Sequence, residues 1–294
     1  MMTTAAERAA PPAPPGWPRR WRALQREANA GYAFVERNWN LTRRYLGWEI
    51  VWLVYQLVNG LSILFIAAAT EQITGQPVDT SFLILYLLIG TTLWQYLSEV
   101  FSNVAETITW ERWEGTIEYT LMAPVSRFVH LVGSCIYAVT YGVIRALAVF
   151  IVVVLIFHVH LDQANVGTAA MIVAAGSVSV IGLAIYCAIL PLLFTERGAQ
   201  MTFVVNSVLL LISGVYYPTE VLPGWLRMFS PLSPITYVLR SVRAALLEGA
   251  PLSAVAGDLV VLAMMGALLV PSGIYAFSVA ERFAKRTGRL KRSG

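Results

Sequence analysis

The chain has 294 residues, 57% of them hydrophobic and only 13% charged, with a mean hydropathy of +0.64. Soluble domains carry about one quarter charged residues, so the composition excludes a soluble globular protein and marks an integral membrane protein. The net charge of +4 does not point to nucleic acid, because most Lys and Arg precede Trp48 or follow Ala280, where they anchor apolar runs against anionic lipid.

Residues 1–18 are rich in Ala and Pro and lack an apolar signal core, which predicts a disordered tail. Residues 19–48 mix Arg with Trp21, Leu24, Phe34, Val35, Trp39, Tyr45 and Leu46 at loosely helical spacing. This predicts an amphipathic helix on the inner leaflet, either a simple anchor or a part that moves with a gate. A bilayer span needs about 20 mostly apolar residues, and the segments 50–69, 82–103, 128–157, 168–194, 200–215 and 257–279 meet or approach that, the fifth being the shortest. Residues 49–280 thus form a six-span domain, and 281–294 a basic tail. The connections 70–80 and 158–167 contain no Lys or Arg whereas both tails are basic, so both termini are expected in the cytoplasm. Cys135 and Cys187 fall inside apolar runs and read as buried free thiols.

Polar residues recur at helical spacing inside the spans: Thr91, Gln95, Ser98 or Glu99, Ser102 and Glu106 in the second; Ser134, Tyr137, Tyr141 and Arg145 in the third; Gln56, Asn59 and Ser62 in the first. Each set lies along one helical face and must look toward protein or water, as packing between helices or as the lining of a pathway. Arg145 lies about 25 Å along its helix from residue 128, deep in the bilayer, where a charge costs about 2.5–3.5 kcal/mol. It therefore needs partners, as a clamp on hydroxyls and carbonyls or as a contact for an anionic cargo group. Glu99 matches it in charge, but its place near the inner end of the preceding span predicts a different depth.

Between the second and third spans, Trp110, Trp113, Ile117 and Leu121 form one stripe and Glu111, Glu114 and Glu118 another, predicting a short amphipathic helix. Its acidic face has no evident partner on the chain, and such a helix suits docking into a groove on another protein. After the fifth span come Tyr217, Pro218, Pro223, Trp225, Pro231, Pro234 and Tyr237. Backbone groups freed by prolines cannot stay unpaired in hydrocarbon, so short external re-entrant helices are predicted here. Arg227, Arg240 and Arg243 would then lie outside, facing headgroups or acids such as Glu220 and Glu248. The predicted fold class is all-α integral membrane: six transmembrane helices, an amphipathic N-terminal helix, a cytoplasmic helix after the second span and short external helices before the last.

Two blocks carry a family resemblance. One is Glu114-Gly115-Thr116-Ile117-Glu118 with Leu121-Met122-Ala123-Pro124. The other is Ser213-Gly214, Tyr217-Pro218, Leu222-Pro223-Gly224-Trp225-Leu226, Pro231, Pro234-Ile235-Thr236-Tyr237 and Arg240 or Arg243. In this order and these topological places they resemble the permease subunit of a type-2 ABC exporter, in the daunorubicin-type drug exporter group. The resemblance implies a coupling helix carrying Trp110, Glu111, Trp113, Glu114, Gly115, Thr116 and Glu118. It also implies a second permease, copy or paralogue, and two separate ATPase subunits that bind ATP and Mg, in a bacterial plasma membrane. The chain itself has no G-x-x-x-x-G-K-[ST] phosphate loop, no H-E-x-x-H and no G-x-S-x-G, and His158 and His160 lack a third ligand nearby. No catalytic residue, metal or cofactor is therefore expected on it. Tyr216, Tyr217, Trp225 and Phe229 suit an amphipathic drug or lipid at the interface. A polysaccharide or glycolipid cargo is the alternative within the family. An ion-coupled secondary transporter, for which Glu99 is the nearest thing to a midplane carboxylate, and a membrane-bound enzyme are the alternatives outside it.

Overall fold

The computed structural model describes residues 19–75, 77–116, 127–157, 163–194 and 197–287. Residues 1–18, Ile117, Glu118, the block Leu121 to Pro124, His158, His160 and the basic tail from residue 288 lie outside the described residues. Those described are helical with no strand: α1 (Arg19–Arg44), α2 (Leu46–Ala68), α3 (Thr70–Thr74), α4 (Thr80–Ala105), α5 (Thr107–Trp113), α6 (Arg127–Phe157), α7 (Val166–Cys187), α8 (Ile189–Leu193), α9 (Gly198–Ile212), α10 (Gly224–Arg227), α11 (Pro234–Leu247) and α12 (Ala256–Arg286). Two 3-10 turns, Thr219–Val221 and Ser230–Leu232, flank α10.

Local chemistry sets where several of these begin and end. Asp79 and Asn165 cap α4 and α7, each accepting a backbone N–H three residues on, from Phe82 and Thr168, at 3.0 Å. Such a side-chain oxygen satisfies one of the donors orphaned at a helix start. The fourth span breaks at Ala188, between α7 and α8. Pro191 explains the break, because its ring has no N–H and crowds the carbonyl four residues back, at Cys187. Gly214 adopts φ +73° directly after α9 and Ser213, a left-handed turn that glycine takes without strain.

Among the described residues, five helical stretches are long and apolar enough to cross a bilayer: α2, α4, Val132–Phe157 of α6, Val166–Leu193 of α7 with α8, and α12. The chain is a multi-pass, all-α membrane protein. The segment expected at 200–215 is the 15-residue α9, an apolar helix shorter than these five; it rises about 22 Å and leads from the α8 end, where Gly198 sits against Pro191, to Gly214 beside Arg243 at the other end of the bundle.

The bundle centres on α7, which packs along α12 and also against α11 and α4. Tyr96 on α4 bonds Ser177 on α7 at 2.7 Å, and the Ser179 hydroxyl donates to the Leu262 carbonyl of α12 at 2.6 Å. Around these polar pins the fully buried Leu97, Val100, Phe101, Ile172, Ile185 and Leu262 form the main core. α1, α5 and the first turns of α6 gather at one end of the bundle, where Arg37 reaches Glu111 and His130 meets the same carboxylate. The other end gathers α11 and the starts of α7 and α12, tied by Asn165 N–H to the Ala245 carbonyl at 2.9 Å and by Arg240 to Asp258.

Candidate functional site

Three groups of polar residues stand out, one at each end of the bundle and one within it. At the α1 end, α5 carries Trp110, Glu111 and Trp113, and Glu114, Gly115 and Thr116 follow it. The helix ends at Trp113, so the longer amphipathic helix expected through this loop is not a single helix, and Glu118 lies outside the described residues. The acidic side is also turned the opposite way from expectation. Glu111 is buried, with His130 Nε2 at 2.8 Å from its Oε1; against a carboxylate oxygen the ring nitrogen is the donor. Arg37 of α1 donates to Glu114 at 2.9 Å, to the Thr116 hydroxyl at 3.1 Å and to Glu111 at 3.4 Å. Glu111 and Glu114 thus have partners on this chain, and it is the indoles that face outward. Trp110 is 53% and Trp113 80% exposed, stacked edge to face with ring centroids 6.0 Å apart. Arg37 and His130 were missed in the sequence because each sits on a different helix, far from the acids in the chain.

Within the bundle, the stripes of α2, α4 and α6 meet. Arg145 Nη1 lies 3.2 Å from Glu99 Oε1 and 3.8 Å from Glu49 Oε2, which corrects the expected mismatch in depth. Helix α6 has 31 residues and rises about 46 Å, more than the hydrocarbon core of about 30 Å. Its first turns lie beside α1 and α5, so residue 128 does not mark the membrane edge. Arg145 is level with Glu49 in the first turn of α2 and with Glu99 near the end of α4. Gln56 donates to Glu99 at 3.4 Å, Gln95 donates to the Gln56 carbonyl at 3.0 Å, and Tyr141 bonds Glu49. Tyr137 stacks on Tyr141 with ring centroids 5.5 Å apart and bonds Thr42 of α1. Asn59 and Ser62 do not join this seam; they donate to carbonyls of their own helix, at Tyr55 and Val58, and face outward. Glu49 was legible only as an acid in the first turn of an apolar span.

Glu106, just past the end of α4, carries a carboxyl that burial pushes up to about 7, with the charge of Glu99 adding to the shift. Between the ordinary value of 4.5 and about 7 the unfolded chain ionises this group while the folded chain keeps it protonated. Stability in detergent is therefore expected to fall as pH rises across that window. Glu106→Gln should flatten this part of the dependence, read as melting temperature at pH 5 and pH 8; an unchanged slope would contradict it.

At the other end the fold buries Arg243, 9% exposed. Its Nη1 donates to the Tyr86 hydroxyl at 2.9 Å and to the Gly214 carbonyl at 2.8 Å, and Nη2 to the Val215 carbonyl at 2.6 Å. The guanidinium carbon lies 3.6 Å from the Tyr86 ring centroid. Gly90 leaves the room: a Cβ there would run into Arg243 and the Val215 carbonyl. Arg240 pairs with Asp258, whose second contact is the Ser241 hydroxyl at 2.7 Å. The partners of these arginines are therefore Asp258, Tyr86 and chain carbonyls, in place of Glu220 and Glu248. Buried carbonyls freed by the turn after α9 need a donor, and the several N–H groups of the Arg243 fork supply it. Tyr217 and Tyr237 brace the proline turns by donating to the carbonyls of Leu211 at 2.8 Å and Pro231 at 3.1 Å. Pro234 starts α11, a position where its missing N–H costs nothing. Pro218 and Pro223 precede the 3-10 turn and α10, and Trp225 on α10 is 66% exposed.

The family model described as ABC-2 type transporter matches residues 97–247, just over half of the chain. The match runs from the end of α4 to the end of α11 and so takes in Glu99, Arg145, the exposed indoles and Arg243. No curated protein matches the chain.

Proposed function

Because the chain belongs to the ABC-2 type transporter family, we propose that this permease subunit works as half of the pathway of an ATP-driven exporter. A second copy or a paralogue supplies the other half, and two separate ATPase subunits bind ATP and Mg. Both termini face the cytoplasm of a bacterium, so the α1 end is the ATPase end, and the cargo is an amphipathic drug or lipid.

The observation that carries this reading is the pair of exposed indoles on α5, held against α1 and α6 by Arg37, Glu111 and His130. Two large exposed aromatic rings beside a braced turn are an anchor for a partner groove. Closure of the ATPases would press on α5, and the contacts of Glu111 and Glu114 with Arg37 and of Glu111 with His130 would carry α1 and α6 with it. Asn59 and Ser62 of α2 and Ser207 of α9, polar yet exposed on apolar helices, support a second permease packed over that face. An ion-coupled mechanism is less well supported, because Glu99 is tied to Arg145, Gln56 and Asn103.

Trp110→Ala with Trp113→Ala is expected to leave membrane insertion and melting unchanged. The same change should lower co-purification of the co-expressed ATPase, and its transport-stimulated hydrolysis, by at least tenfold. Wild-type association and hydrolysis in this variant would sink the coupling role of α5.

A further inference from the structure

An apolar groove of about 320 Å³ opens on the outside of the bundle between α6, α7 and α12. Helix α6 packs on α1 and α4, and α7 on α12, α11 and α4; the groove runs between α6 and the α7–α12 pair. Val132, Ile136 and Thr140 line one wall and Val178, Ile185 and Ile274 the other. The Thr140 hydroxyl donates to the Ile136 carbonyl of its own helix at 2.8 Å, so the lining asks for no polar partner. All three helices are membrane spans, and hydrocarbon is the medium around them.

The lining offers almost only apolar contacts, which acyl chains of the surrounding hydrocarbon satisfy. The lower mouth of the groove lies toward α1, since the α6 turn at Gly133 sits against Gly31 and Phe34. On α12 the row Val270, Ile274, Ser278 and Arg282, each four residues on, leaves the groove in that direction. Arg282 lies about 12 Å beyond Ile274, exposed, with its Nε on the Ser278 carbonyl at 3.3 Å. Neighbouring Lys285 is bound to Glu281 at 2.7 Å.

We propose that this groove holds one acyl chain of an anionic phospholipid from the leaflet at the α1 end, with its headgroup phosphate on Arg282. The acyl chain fills an apolar space that offers water no partner, and the guanidinium meets the phosphate where the row reaches the interface. The proposal depends on the membrane-spanning fold alone and stands or falls separately from ATP coupling.

The test is native mass spectrometry of the delipidated full chain titrated with phosphatidylglycerol or phosphatidylcholine of identical acyl chains. The wild type is expected to retain at least fivefold more phosphatidylglycerol, and Arg282→Gln to erase that preference. Ile136→Trp, at the groove mouth, should cut retention of both lipids at least fivefold, while Ile151→Trp, exposed elsewhere on α6, should not. An unchanged preference in Arg282→Gln, or unchanged retention in Ile136→Trp, overturns the proposal. So does oxidative cross-linking of Cys135 between two copies, which would give the groove to a second chain. Arg282 is on the surface, so its variant decides the matter even where Ile136→Trp folds poorly.

Discussion

Arg243→Ala is expected to destabilise the protein by at least about 3 kcal/mol, one of the two largest effects of the single substitutions considered. The side chain joins α11 to the turn after α9 and to α4, through the Gly214 and Val215 carbonyls and Tyr86. Truncation leaves both carbonyls without their donor in a buried place, and a buried acceptor left unmade costs more than the bond contributed. The Tyr86 ring also loses its cation. Arg243→Lys keeps the charge but lacks the planar fork, so it should recover only part of the loss. Arg227→Ala, an exposed change on α10, serves as the control and should be near neutral. Melting in detergent measures all three, and wild-type melting of Arg243→Ala would show that the turn is held by other means.

The second large effect is expected at Arg145. Arg145→Leu keeps much of the volume but leaves Glu99 and Glu49 facing one another without the cation between them, at a cost of about 3–5 kcal/mol. Adding Glu99→Gln removes one of the two stranded charges and should restore a substantial part. Additive losses in that double-mutant cycle would mean that the 3.2 Å contact carries no coupling energy. A coupled result makes the seam between α2, α4 and α6 a structural joint.

Much of the architecture is written in hydrophobic runs and their punctuation. The spans announce themselves by length, Asp79 and Asn165 mark helix starts, and the prolines after Ser213 mark the end of α9. The polar faces of α4 and α6 are also legible, because their period is that of the helix they lie on. Pairings between helices are another matter. Arg145 with Glu99 depends on how far α6 projects past the bilayer, and that is set by its packing on α1, which no local pattern encodes. The direction of the acids on α5 depends on Arg37 and His130, two basic residues whose approach is a product of tertiary packing. Arg243 illustrates a third kind of limit: its partners are two backbone carbonyls and a tyrosine, which leave no charge pattern to read.

The bend after α9 leaves main-chain carbonyls with no helical donor, and Arg243, reaching over from α11, gathers those of Gly214 and Val215 onto one guanidinium. The course of the chain from α9 into the proline turns therefore hangs on a cation contributed by a different helix, so a change at that single position is felt along the whole of the turn.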